Sequence, residues 1–536
     1  MKIRNFYLAE WSLAIALTLA ILFLLFVRSQ HAGALSRDEC ASVQVAAMPT
    51  LGGLFENFQR ESFPALFYLV LRSVIAMFGT SDAVFRSLGF GVGLTLIIVI
   101  WFNSTVLRVT PPLVSLALFG LNTTFLTWGT AIRGYGIGSV LILLCFGMIA
   151  SVLVKATPLR IGAALLASLA AVQMLLYNSV ILLSIVSAAI TVCLIRKRFT
   201  VAVAIVGIGL LCFISMLPYL GPFWNESRST VVLQGHIEPN WYWSQLQFAF
   251  GNPSNLMTCV WVTLLVLSTA GTLIRLRVIW PRKPVPEWDL LLFGLIVLVV
   301  SPIAYFVFLK IISYATREWY YLALLSIVSG TIDLLSANLS QTARIRVARI
   351  VCITGALLAF PLLDWPKITE RRTNIDLVAR KLEESTEPRD LIVFNPWYYG
   401  ISFNWYYRGV TSWTTVPMMS DHAVHRFDLL KAKMMSARPI DDLQNLITDT
   451  LKFGGRVWFA GGVWVLPEGE EPIDLPPAPE SEFGWSVDAY ADLWSQQMGV
   501  FLRNHALNAQ VVRVGTGARV SELEHLDLLV IHGWRE

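Results

Sequence analysis

Blocks of roughly 18–25 almost uninterrupted apolar residues, the length that carries a helix across a hydrocarbon core about 30 Å thick, recur along this chain as far as Leu363. A helix of that length satisfies its own backbone hydrogen bonds in lipid, so repetition of such blocks points to a bundle of membrane-spanning helices. Hydrophobic residues make up 55% of the chain and charged ones 14%, against about 25% charged in soluble globular proteins. Beyond Pro366 the apolar blocks give way to mixed charges, prolines and short amphipathic stretches. Residues 1–366 therefore read as a polytopic transmembrane domain, and 367–536 as a soluble domain long enough for its own core.

The net charge of +5 does not point to nucleic acid, because the lysines and arginines sit at the ends of apolar blocks. Six cysteines occur and none lies beyond Cys352, which excludes a disulfide framework in the soluble part. The first apolar block, preceded by Lys2 and Arg4 and followed by no small-residue cleavage site, reads as a retained signal anchor.

Eleven spans are expected, at about 9–28, 82–107, 112–130, 134–154, 161–177, 179–195, 199–218, 256–274, 288–310, 319–337 and 349–365. Basic residues then fall in alternate loops: Arg108, Lys155 and Arg160, Arg196 to Arg198, Arg275 to Lys283, and Arg344 to Arg349. By the positive-inside bias these loops and the amino terminus are cytoplasmic, and the C-terminal domain lies outside. Pro64 to Phe78 is apolar, but counting it as a span inverts every later loop. It is expected as an interfacial helix.

The first outer loop holds two adjacent carboxylates, Asp38 and Glu39, close behind the first span. Acidic groups at a membrane rim are costly without a partner or a task. Farther along come Phe63-Pro64-Ala65-Leu66-Phe67-Tyr68 with Arg72, then Arg86-Ser87-Leu88 opening the second span, and Arg133-Gly134-Tyr135 at the outer start of a later one. In this order and on this face, the motifs resemble the GT-C class of membrane glycosyltransferases, the group of protein O-mannosyltransferases and aminoarabinose transferases. The likeness covers roughly the first 180 residues well and later spans in outline. Phe63 and Ala65 stand where the family has His and Pro, and Leu176 precedes Tyr177 where His is usual.

The resemblance implies a GT-C fold with juxtamembrane helices, placed in a bacterial cytoplasmic membrane with the C-terminal domain periplasmic. It implies inverting transfer from a polyprenyl-phosphate sugar donor to a lipid, glycan or protein acceptor of the cell envelope. Such a reaction needs a base for the acceptor hydroxyl and fixed guanidiniums for the leaving phosphate. Asp38 is the candidate base, with Glu39 orienting the base or the acceptor. Arg133, Arg86, Arg72 and Arg317 are candidates for the donor phosphate, and Glu61, Tyr68, Tyr135 and Tyr177 for substrate contact. Each has a plainer alternative: a solvated loop for Asp38-Glu39, snorkelling for Arg72 and Arg86, a glycine-rich packing face around Arg133, and a mutual ion pair for Arg317-Glu318. Trp224, His236, Glu238, Trp241, Tyr242 and Trp243, in the loop about 219–253, are read as a sugar-stacking cover or an interfacial aromatic belt. No spacing makes a convincing metal site. His236 is isolated and His422 with His425 is read as chance, so a divalent metal stays open and no other cofactor is expected. The rival class is a transporter or flippase of a lipid-linked substrate, disfavoured because neither internal repeats nor broken helices are visible.

The C-terminal part reads as α/β, with strands at 391–394, 456–459 and 528–531 and helices at 374–384, 424–435, 441–451 and 489–507. The aromatic run Trp397 to Tyr407 is expected as core and docking surface, with acceptor-glycan binding as the alternative, and Pro467 to Pro479 as an exposed loop.

Overall fold

The computed structural model describes residues 2–61, 63–109, 111–235, 237–251, 255–279, 286–339, 343–472, 474–478 and 486–536. His236 and Pro479 lie outside them. The long helices are α1 (Lys2–His31), α2 (Arg37–Ala46), α3 (Ala65–Phe78), α4 (Asp82–Val106), α5 (Gly134–Val154) and α6 (Pro158–Met174). They continue as α7 (Asn178–Ile195), α8 (Phe199–Met216), α9 (Asn255–Ile279), α10 (Pro286–Ile312), α11 (Leu322–Leu339) and α12 (Ala343–Ile368). Among the described residues, nine helices are long and apolar enough to cross a membrane. The chain is a polytopic α-helical membrane protein that ends in an α/β region.

Two expected spans differ from the rest. The helix expected at 161–177 is α6, which is only 17 residues long and is packed along α5. The one expected at 112–130 is not a continuous helix. It folds as Leu113–Ser115 followed by two π-helical turns, Leu116–Gly120 and Phe125–Gly129, and residues 113–126 are all buried. It nonetheless runs the length of α4 in reverse, from beyond Val106 to Ile132, whose N–H meets Glu39 beside Arg86 near the start of α4. Irregular backbone is tolerated at such depth only where protein satisfies it. Here Asn122 Nδ2 donates to the Ala249 carbonyl, Phe125 N–H donates to Asn122 Oδ1, and Val114 N–H donates to Asp333 Oδ1. Hydropathy alone could not see this break, because the segment is as apolar as a regular span. The expectation of no broken helices is thereby corrected.

The C-terminal region carries a five-stranded sheet in the order β2-β1-β3-β5-β4. Its strands are β1 (Leu391–Asn395), β2 (Ser412–Thr415), β3 (Arg456–Gly461), β4 (Ala506–Val512) and β5 (Asp527–Trp534). β1 is parallel to β2 and β3, while β5 is antiparallel to β3 and β4. Side chains alternate between the two faces of a strand. Accordingly Ile392, Phe394 and Trp458 pack with α13 (Ile375–Ser385) and α14 (Tyr399–Tyr406), whereas Leu391, Val393 and Phe459 join the larger core with Leu443, Ile447 and Met498. The remaining helices, α15 (Phe427–Met434), α16 (Asp441–Lys452) and α17 (Val487–His505), complete the layers. β2 and β4 are additions to the expected strands, and α15 begins later than expected, leaving His425 in a loop.

The aromatic run after β1 seats this region on the helices. The Tyr406 hydroxyl donates to Asp82 Oδ1 at 2.7 Å and accepts the Leu35 N–H at 2.7 Å. Gln44 on α2 donates to the Ile401 carbonyl and accepts from Asn404. The Arg37 guanidinium lies 3.9 Å from the ring centroid of Tyr398.

Candidate active site

Helix α2 builds the site by sending neighbouring carboxylates in opposite directions. The stretch Ser36-Arg37-Asp38-Glu39 has the S-x-x-E spacing of a capping box, and Glu39 folds back so that Oε2 accepts from Ser36 N–H at 2.9 Å and Ser36 Oγ at 3.0 Å. Glu39 is fully buried. Its Oε1 accepts from Arg86 Nη1 at 2.8 Å and the Ile132 N–H at 2.9 Å, while Arg372 Nε lies 3.6 Å from Oε2. Burial raises the carboxyl, but Arg86 and Arg372, with the hydrogen bonds from Arg86 and Ile132, outweigh it and hold Glu39 well below the usual range. Every lone pair of Glu39 is spent on the protein, so it anchors α2 and leaves no acceptor free for substrate.

One helical residue turns a side chain by about 100°, so Asp38 faces the other way, toward the seam with the C-terminal region. Its side chain is 32% exposed, with Oδ1 3.5 Å from Arg37 Nε and 3.5 Å from His425 Nε2. Burial raises Asp38, and the charges of Arg133, Arg37 and His425 overcome that and lower it. Asp38 is therefore held in its ionised form and remains partly accessible.

His425 itself is bracketed by two carboxylates. Glu61, buried just before α3, accepts from His425 Nδ1 at 2.8 Å and from the His425 N–H at 3.0 Å. Burial raises Glu61, and His425 and Arg133 reverse the shift. An ionised carboxylate can only accept, so Nδ1 donates to Glu61, while Nε2 lies 3.5 Å from Asp38 Oδ1. Phe427 stacks on the imidazole at 5.7 Å and Trp397 meets it edge-on at 6.1 Å, which fixes the ring plane.

Arg133, the residue before α5, closes the cluster. Nη1 donates to Glu61 Oε2 at 3.0 Å, to the Asp38 carbonyl at 2.9 Å and to Ser42 Oγ at 3.1 Å. Its Nε is buried without a partner. Phe63 lies beneath its guanidinium, 4.6 Å away, and continues into an aromatic floor of Tyr135, Tyr320 and Tyr177 with centroids 5.2–5.5 Å apart. Tyr68 is fully buried and its hydroxyl has no partner.

Two candidate phosphate ligands are committed elsewhere. Arg72 donates to the carbonyls of Ala46, Met48 and Pro49, capping the end of α2. Arg86 spends its donors on Gly33, Ala34 and Glu39. Both stabilise the loop instead of facing a ligand, because an interfacial loop offers backbone carbonyls that lipid cannot satisfy. Arg317 is exposed beside Trp241, at 5.8 Å, and makes no ion pair among the described residues. Its neighbour Glu318 instead accepts from Trp128 Nε1 at 3.1 Å.

The loop beyond Tyr219 folds into two short helices, Leu220–Thr230 and Pro239–Ala249. Trp224 and Trp243 are exposed on them, whereas Trp241 and Tyr242 are tied to the carbonyls of Thr316 and Leu309. His422 packs on Trp413 at 4.5 Å, away from His425. Asp38 and Glu61 meet opposite nitrogens of the His425 ring, a geometry that handles a proton and does not converge on one ion. Among the described residues, no group of three or more such side chains is arranged to hold a metal.

Sequence reasoning missed His425 and Ser36. The capping-box spacing was there to be read for Ser36. His425 had no local signal, since its partner Glu61 is 364 residues away.

Neither a protein-family model nor a curated protein matches the chain. Among solved structures, ArnT from Cupriavidus metallidurans bound to undecaprenyl phosphate is similar at 12% identity. That match covers 83% of this chain and 92% of that one, with a TM-score of 0.47.

Proposed function

We propose that the protein is an inverting glycosyltransferase that moves a sugar from a polyprenyl-phosphate donor to an envelope lipid, glycan or protein acceptor. In this reading residues 1–366 form the catalytic membrane domain and 367–536 an extracytoplasmic domain. The charge bias of the loops supports an outward-facing site in a bacterial cytoplasmic membrane. The observation that carries the proposal is the Asp38–His425–Glu61 chain beside Arg133, at the membrane rim and in the order of the motifs noted above.

The acceptor hydroxyl gives its proton to Asp38 as its oxygen attacks the anomeric carbon. The C–O bond to the lipid phosphate breaks on the opposite face, which inverts the centre. His425 Nε2 relieves Asp38 of the proton while Glu61 stabilises the imidazolium, a division of roles that general acid–base catalysis rewards. The charge growing on the leaving phosphate falls to Arg133, whose Nε is buried without a protein acceptor, with exposed Arg317 as a second contact. Tyr135 and Tyr177 supply apolar and hydroxyl surface for the sugar and the first isoprene units, with Tyr68 buried behind them. Glu39, Arg86 and Arg72 set the position of α2.

A transporter is the second reading, and the broken segment between α4 and α5 is the observation in its favour. That segment is buried and internally hydrogen-bonded, so it lines no open path. The deciding experiment is sugar release from radiolabelled polyprenyl-phosphate sugars by purified protein in lipid, wild type against Asp38→Asn. Turnover by wild type and its loss in the variant, with donor still bound, supports the enzyme. No turnover on any donor, with whole envelope extract as acceptor, transfers the case to the transporter.

A further inference from the structure

A second polar cleft lies outside the Asp38 cluster. It holds about 50 Å³ between the ends of α1 and α12 and the C-terminal region, and Arg28, Lys367, Glu370, Arg372, Trp128 and Glu524 are among the residues that line it. Arg28 and Lys367 sit in the last turns of their helices, the depth at which a spanning helix meets lipid headgroups.

The charges in this cleft do not balance. Arg371 is neutralised by Asp376 at 2.8 Å, and Glu39 is neutralised by Arg86 at 2.8 Å, so Arg372 at 3.6 Å holds only a loose contact. Arg28 reaches the backbone carbonyl of Glu370, not its carboxylate, and that carboxylate lies 3.8 Å from Arg519. Burial pushes the Glu524 carboxyl up to about 8 despite Arg37, which leaves it largely uncharged near neutral pH. Arg28, Arg372 and Lys367 thus crowd a cleft whose nearby carboxylates, Glu39 and Glu370, are shared with Arg86 and Arg519.

The donors point the same way. Arg28 and Arg372 are 4% and 6% exposed; the Nε of Arg28 is buried without a hydrogen-bond partner, and that of Arg372 makes only the 3.6 Å contact with Glu39. Arg28 directs only Nη1 to protein carbonyls, and Arg372 directs only Nη2, to Thr127. Buried guanidinium nitrogens without acceptors are costly, and a planar fork of this kind fits two oxygens of one phosphate. Trp128 lies 5.2 Å from the Arg372 guanidinium and holds it over the cleft.

We infer that this cleft binds a phosphate group, held by Arg28 and Arg372 from within and by Lys367 at its mouth. The shared chemistry is a phosphate monoester or diester, carried on a membrane lipid headgroup or free in solution. The site is separate from the proposed reaction centre, yet Arg372 touches Glu39 and Glu524 accepts the Arg37 N–H, so occupancy steadies the start of α2.

The test uses the full chain in detergent micelles, titrated with inorganic phosphate, with short-chain phosphatidic acid and with the uncharged diacylglycerol. Native mass spectrometry reads any phospholipid carried through purification. Wild type is expected to bind at least one phosphate-bearing probe saturably and to ignore diacylglycerol. Lys367→Gln, whose side chain is exposed and makes no hydrogen bond among the described residues, should weaken binding about tenfold, on the order of one charge-assisted contact. Arg372→Gln should abolish it. Binding of phosphatidic acid alone identifies a lipid headgroup, and binding of both probes identifies a site for the free anion as well. Absence of any saturable or co-purified phosphate ligand in wild type, or equal affinity in wild type and Lys367→Gln, overturns the inference.

Discussion

Glu61 Oε1 receives two hydrogen bonds from one residue, His425, through its ring Nδ1 at 2.8 Å and its backbone N–H at 3.0 Å. This paired contact fixes the place of the imidazole, and joins the C-terminal region to the membrane rim at the point where Asp38 is exposed.

If that pairing serves proton transfer, His425→Ala should lower kcat about 10²- to 10³-fold, within the range of a lost acid–base group, with little change in donor KM. Glu61→Gln should fall between this variant and wild type, because the amide still accepts from Nδ1 but no longer stabilises the imidazolium. Steady-state kinetics on the donor that wild type turns over decides it. A His425→Ala enzyme as fast as wild type would remove the relay.

The arginines should separate by function. Arg133→Lys keeps the charge and loses the planar fork, and should cost about 10²-fold in kcat, the scale of one lost transition-state donor. Arg72→Lys should lower Tm while leaving turnover per folded molecule near wild type, since Arg72 caps α2 through the carbonyls of Ala46, Met48 and Pro49.

Arg86→Ala leaves Glu39 fully buried beside the loosely placed Arg372. Breaking a buried pair in this way costs roughly 3–5 kcal/mol, and thermal unfolding in detergent should show a loss of that size. The double variant Arg86→Ala/Glu39→Ala should recover part of it.

Glu524 predicts a pH dependence opposite to that of Glu39. Its folded value is raised from 4.5 to about 8, so the folded state keeps a proton that the unfolded chain releases. Its contribution is complete below 4.5 and declines as pH rises toward 8, by at most about 1.4 kcal/mol per pH unit. Glu39 and Glu61 are lowered, so their contributions are present above the ordinary carboxylate range and fail as pH falls below it. Tm should therefore peak mildly acid, and Glu524→Gln should flatten the alkaline side of that profile.

Gly136 tests the broken segment. A Cβ there would lie 1.7 Å from the Gly129 carbonyl oxygen, so Gly136→Ala must push the π-helical turn away from α5. Overpacking of that kind costs about 1–3 kcal/mol, and Tm together with proteolysis near residues 125–133 would report it. Gly162, with nothing near its Cβ position, is the control and should tolerate Ala.

Much of this protein was legible in the chain. Apolar blocks of bilayer length dictate spanning helices because lipid offers no alternative partner for the backbone, and the apolar run Leu391–Phe394 marked a strand. The adjacency of Asp38 and Glu39 was equally plain. Which of them stays accessible was decided only in three dimensions, where Ser36, Arg86 and Ile132 claim Glu39 and leave Asp38 partly exposed. Arg72 and Arg86 looked like Arg133 by position, and only their surroundings show that their donors are spent on backbone carbonyls and Glu39. The broken segment at 113–129 was invisible to hydropathy, which measures transfer to lipid and not whether neighbouring helices supply hydrogen bonds. His425 reaches the rim from a fold of its own, across a separation no local pattern encodes. Composition and periodicity record what each stretch needs from its solvent, whereas the site depends on which distant groups the packing brings within hydrogen-bond reach.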